Sequence, residues 1–438
     1  MAKKLVISIA AVVTFAVVAS LYYVGVKTEE EIKQALGKES ELMPPNVSIS
    51  LDSYERGWLS SSAKTTLVAN SESGAQQPLV FEHTIKHGPM LKRNNEGFAL
   101  AAIVSTFTPS ETIKEVSSHY FNEQSPLSIV TFVGFDGEIA SNITVPSYNG
   151  RSHADDADIV WRGLHGSATY LDNAFSFEIE VPRWHYTNKE EAIKIEDIVL
   201  SAQQKISENG LAVGEFDFTV ETLSANEIEG QAFYLRGHSK DQGGVAGFEL
   251  KTGMSGFELA NESGSGTVEM IIEKLDSPAL AEMQKDLGPE KLAGLIPELL
   301  KHSPELRIQN TRFETSEGVV LLKLLALFDA AQGVNLQAPA SLFLQLMIDG
   351  ELSMPVTIAE KIAASVVRDQ IGVNRANLSD EQFAEHVSSA SKEMLANLET
   401  SKLIIREQDR YLLSVKFKEG ALLLNGEPAN LPPSLFSM

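Results

Sequence analysis

The stretch LSIVTFVGFDGEIASNITV, residues 127–145, decides how the chain is read. Apolar and polar residues alternate along both halves, the period of a strand with one face buried and one face wet. Asp136-Gly137 stands between the halves. An Asp-Gly pair there supplies the positive-φ residues of a tight turn, so the segment predicts two antiparallel strands joined as a hairpin.

The same pattern recurs on both sides. VSISL at 47–51 alternates, and Leu79-Val80-Phe81 opens a strand that should end at His87-Gly88-Pro89. Phe175, Phe177, Ile179 and Val181 alternate until Pro182, and a further strand is read at Ile159. More strands are predicted at 193–200, 214–223, 233–237, and 247–250 continuing into 257–260, with turns at Asn209-Gly210 and Gly243-Gly244. Beyond them the period changes. Asp276-Ser277-Pro278 reads as a helix cap with an early proline, followed by Leu280, Met283, Leu287, Leu292, Leu295, Leu299 and Leu300 at near-helical spacing, broken at Gly288-Pro289. A strand pair, 306–313 and 319–325, turns at Ser316-Glu317-Gly318, and Ile348-Asp349-Gly350 predicts another turn after the apolar 341–347. Ile358, Ile362, Val366 and Ile371 mark one helical stripe. Ser379 with Gln382 forms a capping box for a second helix, carrying Phe383, Val387, Ala390, Met394 and Leu398. Strands at 403–406, 411–417 and 422–424, with an Asn425-Gly426 turn, close the chain. The expectation is an α+β protein: a mainly antiparallel β-sheet body with several packing helices.

A different signal precedes that body. LVISIAAVVTFAVVASLYYVGV, residues 5–26, is 22 residues without a charge. As a helix it is about 33 Å long, enough to cross a hydrocarbon core of roughly 30 Å. Its apolar wall includes Leu5, Ile7, Ile9, Val12, Val13, Phe15, Val17, Val18, Leu21 and Val24, with Tyr22 and Tyr23 at the outer end, where aromatic rings favour the interface. Lys3 and Lys4 lie before it and Glu29, Glu30 and Glu31 after it, so the positive side stays cytoplasmic and the rest is exported. The competing reading is a cleavable signal peptide cut after Val17-Val18-Ala19, but the apolar run continues beyond a typical signal core. The expected layout is a cytoplasmic tip (1–4), a transmembrane anchor (5–26), a linker helix (27–45) capped by Thr28 and Glu31, and a periplasmic body (46–438) that can be subdivided into 46–270 and 271–438.

Composition narrows the function classes. Of 438 residues, 36 are Lys or Arg and 59 are Asp or Glu, a net charge of −23 that repels phosphate backbones and excludes a nucleic-acid partner. With no cysteine there is no disulfide, thiolate nucleophile or zinc–thiolate site, and an oxidising compartment is harmless.

Tyr54-Glu55-Arg56-Gly57-Trp58-Leu59 after the anchor, His87-Gly88-Pro89 after a strand, Phe135-Asp136-Gly137, Trp161-Arg162-Gly163-Leu164, and a closing Gly420-Ala421-Leu422-Leu423-Leu424-Asn425-Gly426 occur in this order. Together they resemble the YdgA-like family of bacterial envelope proteins of unknown function, over nearly the whole chain. The resemblance implies one inner-membrane span and a periplasmic body, and it carries over no active site.

No motif specifies a reaction. His83 and His87 share a strand face, but two ligands do not close a metal site, and His83 is expected to be partly exposed. His153-Ala154-Asp155-Asp156-Ala157-Asp158 lacks the oxygen ligands and glycine turn of a calcium loop and reads as a solvated loop. Ser61-Ser62-Ala63-Lys64 and Lys251-Thr252-Gly253 match the letters of penicillin-binding chemistry, without its Ser-Asp-Asn element or a helix opening at the serine. Ser110 fits a helix cap, and Gly244-Val245-Ala246-Gly247 lacks the lysine of a phosphate loop. Tyr54, Arg56, Gly57, Trp58, His87, Gly88, Pro89, Asn425 and Gly426 are positions of structural weight: bulges, core fillers and turns. Neither a metal nor a cofactor is expected. The expected partners are the membrane, through the leading helix, and lipid or other envelope proteins. The function this predicts is a non-catalytic envelope binding or lipid-handling module. The alternatives are an envelope hydrolase using carboxylates dispersed in sequence, or a scaffold for envelope proteins.

Overall fold

A strand that alternates can bury its apolar side only against something else, and among the described residues twenty-two strands are arranged in antiparallel ladders. The structure is a computed structural model that describes residues 47–55, 60–70, 76–92, 98–108, 120–121, 125–134, 136–152, 156–226, 228–259, 262–283, 289–334, 339–371 and 379–429. The expected anchor (5–26), the linker (27–45), and Arg56, Gly57, Trp58 and Ser110 lie outside the described residues. Among the described residues no helix is long and apolar enough to cross a membrane. The chain divides into two compact units. Residues up to 208 belong with 212–229 to the first, and 209–211, 230–283 and 288 onward belong to the second.

The first unit holds β1 (Val47–Glu55), β2 (Ser60–Asn70), β3 (Gln76–Lys92), β4 (Phe98–Thr108), β5 (Ser128–Val133), β6 (Ile139–Val145), β7 (Tyr148–Ser152), β8 (Ala157–Trp161), β9 (Leu164–Leu171), β10 (Ala174–Thr187), β11 (Ala192–Ile206) and β12 (Ala212–Ala225). Strands β1 to β6 pair in chain order, and β9 to β12 continue the sheet from β6. The β7–β8 hairpin joins the far end of β10 through β8. The hairpin read from 127–145 is β5–β6: Gly137 has φ 85°, and the Glu138 amide donates to Asp136 Oδ1 at 3.0 Å. The core lies on one face, where Phe81, Phe107, Ile129, Ile143 and Val145 pack with Leu164, Val181 and Phe121.

Three strand expectations need correction. Strand β3 does not end at His87-Gly88-Pro89 but runs on to Lys92, with a register shift between His87 and Leu91. Glycine and proline here mark a bulge, which bends a ladder without ending it. Strand β10 passes through Pro182: Val181 pairs with Ile198 and Arg183 with Glu196, while the exposed Pro182 faces Asp197, whose φ is 52°. The missing N–H breaks one rung only. Strands β2, β4, β7 and β9, and Glu262–Asp276 of the second unit, are not among the expected ones. The inward positions of β2 are the small Ser61, Ala63 and Thr65, and β4 is apolar on both faces, so neither shows a clear apolar/polar period.

The second unit follows β13 (Ile228–Gln242) with β14 (Val245–Leu259), β15 (Glu262–Asp276), helices α1 (Ser277–Met283) and α2 (Pro289–Leu300), β16 (Glu305–Thr315), β17 (Gly318–Phe328), α3 (Pro339–Gln345), β18 (Leu346–Pro355), α4 (Val356–Ile371), α5 (Asp380–Thr400), β19 (Ile405–Glu407), β20 (Arg410–Lys418), β21 (Ala421–Leu424) and β22 (Glu427–Ala429). The ladder order is β14-β15-β16-β17-β18-β20-β21-β22, all antiparallel, with β19 on the first residues of β20. Asp276 caps α1 by accepting from the Ala279 amide at 2.9 Å. Ser379 and Gln382 form the expected reciprocal capping box on α5.

Two expectations fail here. Ile348-Asp349-Gly350 is not a turn but the middle of β18. Gly350 is buried, and a Cβ there would meet Leu324 Cδ1 at 3.3 Å, so the glycine makes room for a leucine of the next strand. On α4 the buried stripe is Ala359, Ala363 and Val367, whereas Ile362 is 50 % and Val366 37 % exposed. Small residues let the helix approach closely, and that outweighs the larger apolar area of the isoleucine stripe.

Candidate functional site

Register across the second unit assigns every strand residue to one of two sheet faces, because directly paired residues point the same way. One rung reads Leu250, Met270, Ile308, Leu324, Gly350, Val415, Leu424 across seven strands. The rung beside it reads Phe248, Ile272, Leu306, Ala326, Ile348, Phe417, Leu422, Ala429 across eight. Neither contains a polar side chain. The other face carries the charge: Lys251 Nζ lies 2.5 Å from Glu249 and 3.3 Å from Glu269, Arg307 bridges Glu273 and Glu305, and Lys416 faces Asp349. Hydrogen bonds that it donates to Glu249 and Glu269 raise the pKa of the Lys251 ammonium above its ordinary range, and the bond donated by the Asn310 amide lowers that of the Glu269 carboxyl. These pairs belong to a solvated face, where each contributes little.

The apolar face is only partly covered. Helices α4 and α5 seat Ala359, Ala363 and Leu395 on Met354 and Tyr411, at one end of β18 and β20. In the first rung every side chain from Leu250 to Leu424 is half-buried, and only the side-chain-less Gly350 is buried. Aromatic rings lie over two glycines farther along the same face: a Cβ on Gly266 would touch the Phe313 ring at 2.7 Å, and one on Gly264 the Phe257 ring at 2.7 Å. Phe313 is nonetheless 42 % exposed. The next rung on this face adds Leu322, Leu352 and Leu413 but also the hydroxyls of Thr252 and Thr311, the latter buried with no hydrogen-bond partner among the described residues. The two wholly apolar rungs are chemically suited to hydrocarbon.

The first unit contains the buried histidine. His83 is 8 % exposed, which corrects the expectation of partial exposure. Its Nε2 lies 2.8 Å from Thr65 Oγ1 and its Nδ1 2.8 Å from Ser105 Oγ, and burial lowers its pKa to about 4. Both hydroxyls come from neighbouring strands of the core face, so the cluster is a satisfied polar rung. Thr131 and Ser141 pair likewise at 2.8 Å on β5 and β6. Ser61 is buried near the start of β2, and Lys64, three residues on, points to the opposite face and is exposed. A serine and lysine so placed cannot share a proton, and Lys251-Thr252-Gly253 lies mid-strand in β14 with its lysine committed to two carboxylates.

Other singled-out positions have local roles. Tyr54 packs on Ala63, Ile85 and Ile103. His87, Gly88 and Pro89 occupy the irregular part of β3. Asp156 holds Arg151 at 2.6 Å and Lys189 at 3.2 Å, the work of a loop carboxylate. Gly163, at φ 93°, would put a Cβ 2.9 Å from the Val145 carbonyl. Asn425 and Gly426, at φ 51° and 84°, make the β21–β22 turn. The Asn425 side chain accepts from the Ser414 amide at 2.7 Å and donates to the carbonyls of Lys402 and Leu403. At the start of α1, burial would raise the Asp276 carboxyl, but hydrogen bonds from Lys301 and the Ala279 amide outweigh it and hold the group low. Among the described residues no three His, Asp or Glu side chains are placed to hold a metal ion.

The family described as "Bacterial protein of unknown function (DUF945)" matches residues 1–432, and the chain belongs to it. No curated protein matches the chain.

Proposed function

We propose that this member of a bacterial family of unknown function is a non-catalytic binding module of the cell envelope, which holds hydrocarbon on the apolar face of its second unit. The observation that carries the reading is the rung from Leu250 to Leu424: seven strands wide, without a polar side chain, and with every side chain only partly buried. Covering such a face with an acyl chain releases about 25 cal/mol per Å² of apolar surface removed from water. The charge-free run at 5–26, with lysines before it and glutamates after it, supports a tether in the inner membrane and a periplasmic body. The YdgA-like resemblance is consistent with both.

The test compares two neighbouring residues of β20 on opposite faces. Leu413 pairs with Leu352 on the apolar face, and Ser414 pairs with Glu351 on the charged one. The full chain, Leu413→Lys and Ser414→Lys are each purified in a non-ionic detergent, and their bound lipid is extracted and weighed by mass spectrometry. Lipid around the leading helix is common to all three. The reading expects an additional lipid in the full chain and in Ser414→Lys that Leu413→Lys lacks. Equal lipid in all three folded proteins contradicts it. Fusing a reporter active only in the periplasm to the carboxyl end tests the tether: a silent fusion, with a cytoplasm-only reporter active instead, reverses the orientation.

A further inference from the structure

We propose that the groove between α4 and α5 is a second ligand site, separate from the sheet face, which takes a single-chain lipid by its phosphate headgroup. The groove encloses ≈ 690 Å³, within the roughly 300–1,000 Å³ of small-molecule sites. Its floor is apolar, from Ala364 on α4 and Phe383 and Val387 on α5. Phe383 and Val387 are anchored beneath by Val367, so the floor is preformed. Its rim carries three cations, Lys361, Arg368 and Lys392, and two carboxylates, Glu317 and Glu360. Glu317, in the β16–β17 turn, engages Lys361 at 2.6 Å. Arg368 and Lys392 have no carboxylate partner among the described residues.

That is unusual here because acids outnumber bases 59 to 36. The field of such a chain disfavours anions everywhere except where cations are left uncompensated. Three cations against the two carboxylates leave the rim with one net positive charge, and Arg368 and Lys392 are ion-paired to neither carboxylate; a positive rim beside an apolar floor asks for a ligand that is anionic at one end and hydrocarbon at the other. A guanidinium binds a phosphate through two parallel hydrogen bonds, and the Lys392 ammonium adds a point charge beside it. The groove lies on the side of α4 that carries Thr357, Lys361, Ala364 and Arg368, whereas Ala359 and Ala363 seat on Met354 and Tyr411. A ligand there does not compete with one on the sheet.

Fluorescent lysophosphatidic acid and the monoacylglycerol of the same chain length are titrated into the full chain in a sugar-headed detergent, with inorganic phosphate as competitor. The proposal expects the anionic lipid to bind about tenfold tighter or more, and expects Arg368→Gln with Lys392→Gln to erase that preference while leaving monoacylglycerol binding unchanged. Both side chains are exposed, so the variant should fold. Ser388→Glu, which puts a negative charge into the groove and keeps both cations, should erase the preference as well. No preference in the unaltered chain, or a preference that survives both variants, overturns the proposal. Displacement by inorganic phosphate at the concentrations that suffice for the lipid itself reduces the groove to a plain anion site and also overturns it. Monoacylglycerol binding reports separately on the sheet face.

Discussion

The two units build equally apolar sheet faces and finish them differently. In the first, the face of β2 to β6 is closed: Ile129 is 3 % exposed and Ile143 1 %. Every polar group on it has a partner, His83 with Thr65 and Ser105, and Thr131 with Ser141. In the second, the side chains of the rung through Ile308, Leu324 and Val415 are only partly buried, and that rung contains nothing polar to satisfy. Closure makes a polar pair affordable, because a buried hydroxyl or imidazole is tolerated once it is hydrogen-bonded. Hydrocarbon returns no hydrogen bond, so under the proposed function the contact centres on the two wholly apolar rungs and stops short of Thr311 in the neighbouring rung.

The largest effect should come from side chains matched across that divide. Ile143→Ala opens a cavity in a closed face and should cost roughly 3–4 kcal/mol in urea unfolding, whereas Leu324→Ala, already half in water, should cost about 1 kcal/mol. Equal losses at the two positions would erase the comparison. Next comes the pH response. Burial holds the His83 imidazole near 4 against its ordinary 6.5, so the unfolded chain takes up a proton that the folded one refuses. Its contribution is complete above pH 6.5 and is lost as pH falls to about 4, a loss of about 3 kcal/mol. Unfolding of the first unit should show this slope, and His83→Leu should flatten it. A slope that persists in the variant assigns the proton to another group.

Much of this architecture was legible in the sequence where the physics is local. The β5–β6 hairpin follows from alternation and one Asp-Gly pair, the α5 start from Ser379 and Gln382, and the last turn from Asn425-Gly426. Errors arose where a local breaker answered to a distant neighbour. Gly350 makes room for Leu324, Gly88-Pro89 fall where the β3 ladder shifts register, and Pro182 costs one rung. Strand β2 escaped notice because its inward residues are Ser61, Ala63 and Thr65. On α4, Ile362 and Val366 outrank alanine in hydrophobicity, yet Ala359 and Ala363 meet the sheet. The candidate site was legible only in part. Alternation tells which side chains share a face, but an open apolar face and a closed one have the same period, and only the structure shows what covers each. Arg368 and Lys392 stand in different helices, and no spacing rule joins them.

Leu352 and Glu351 are consecutive on β18 and point to opposite faces of the sheet, apolar and charged. A photo-activated cross-linking residue placed at each position in the full chain, illuminated in living cells and followed by mass spectrometry, asks directly what touches either face. The account predicts acyl-lipid adducts at 352 and none at 351. Adducts absent from both positions, or equally abundant at both, would contradict it.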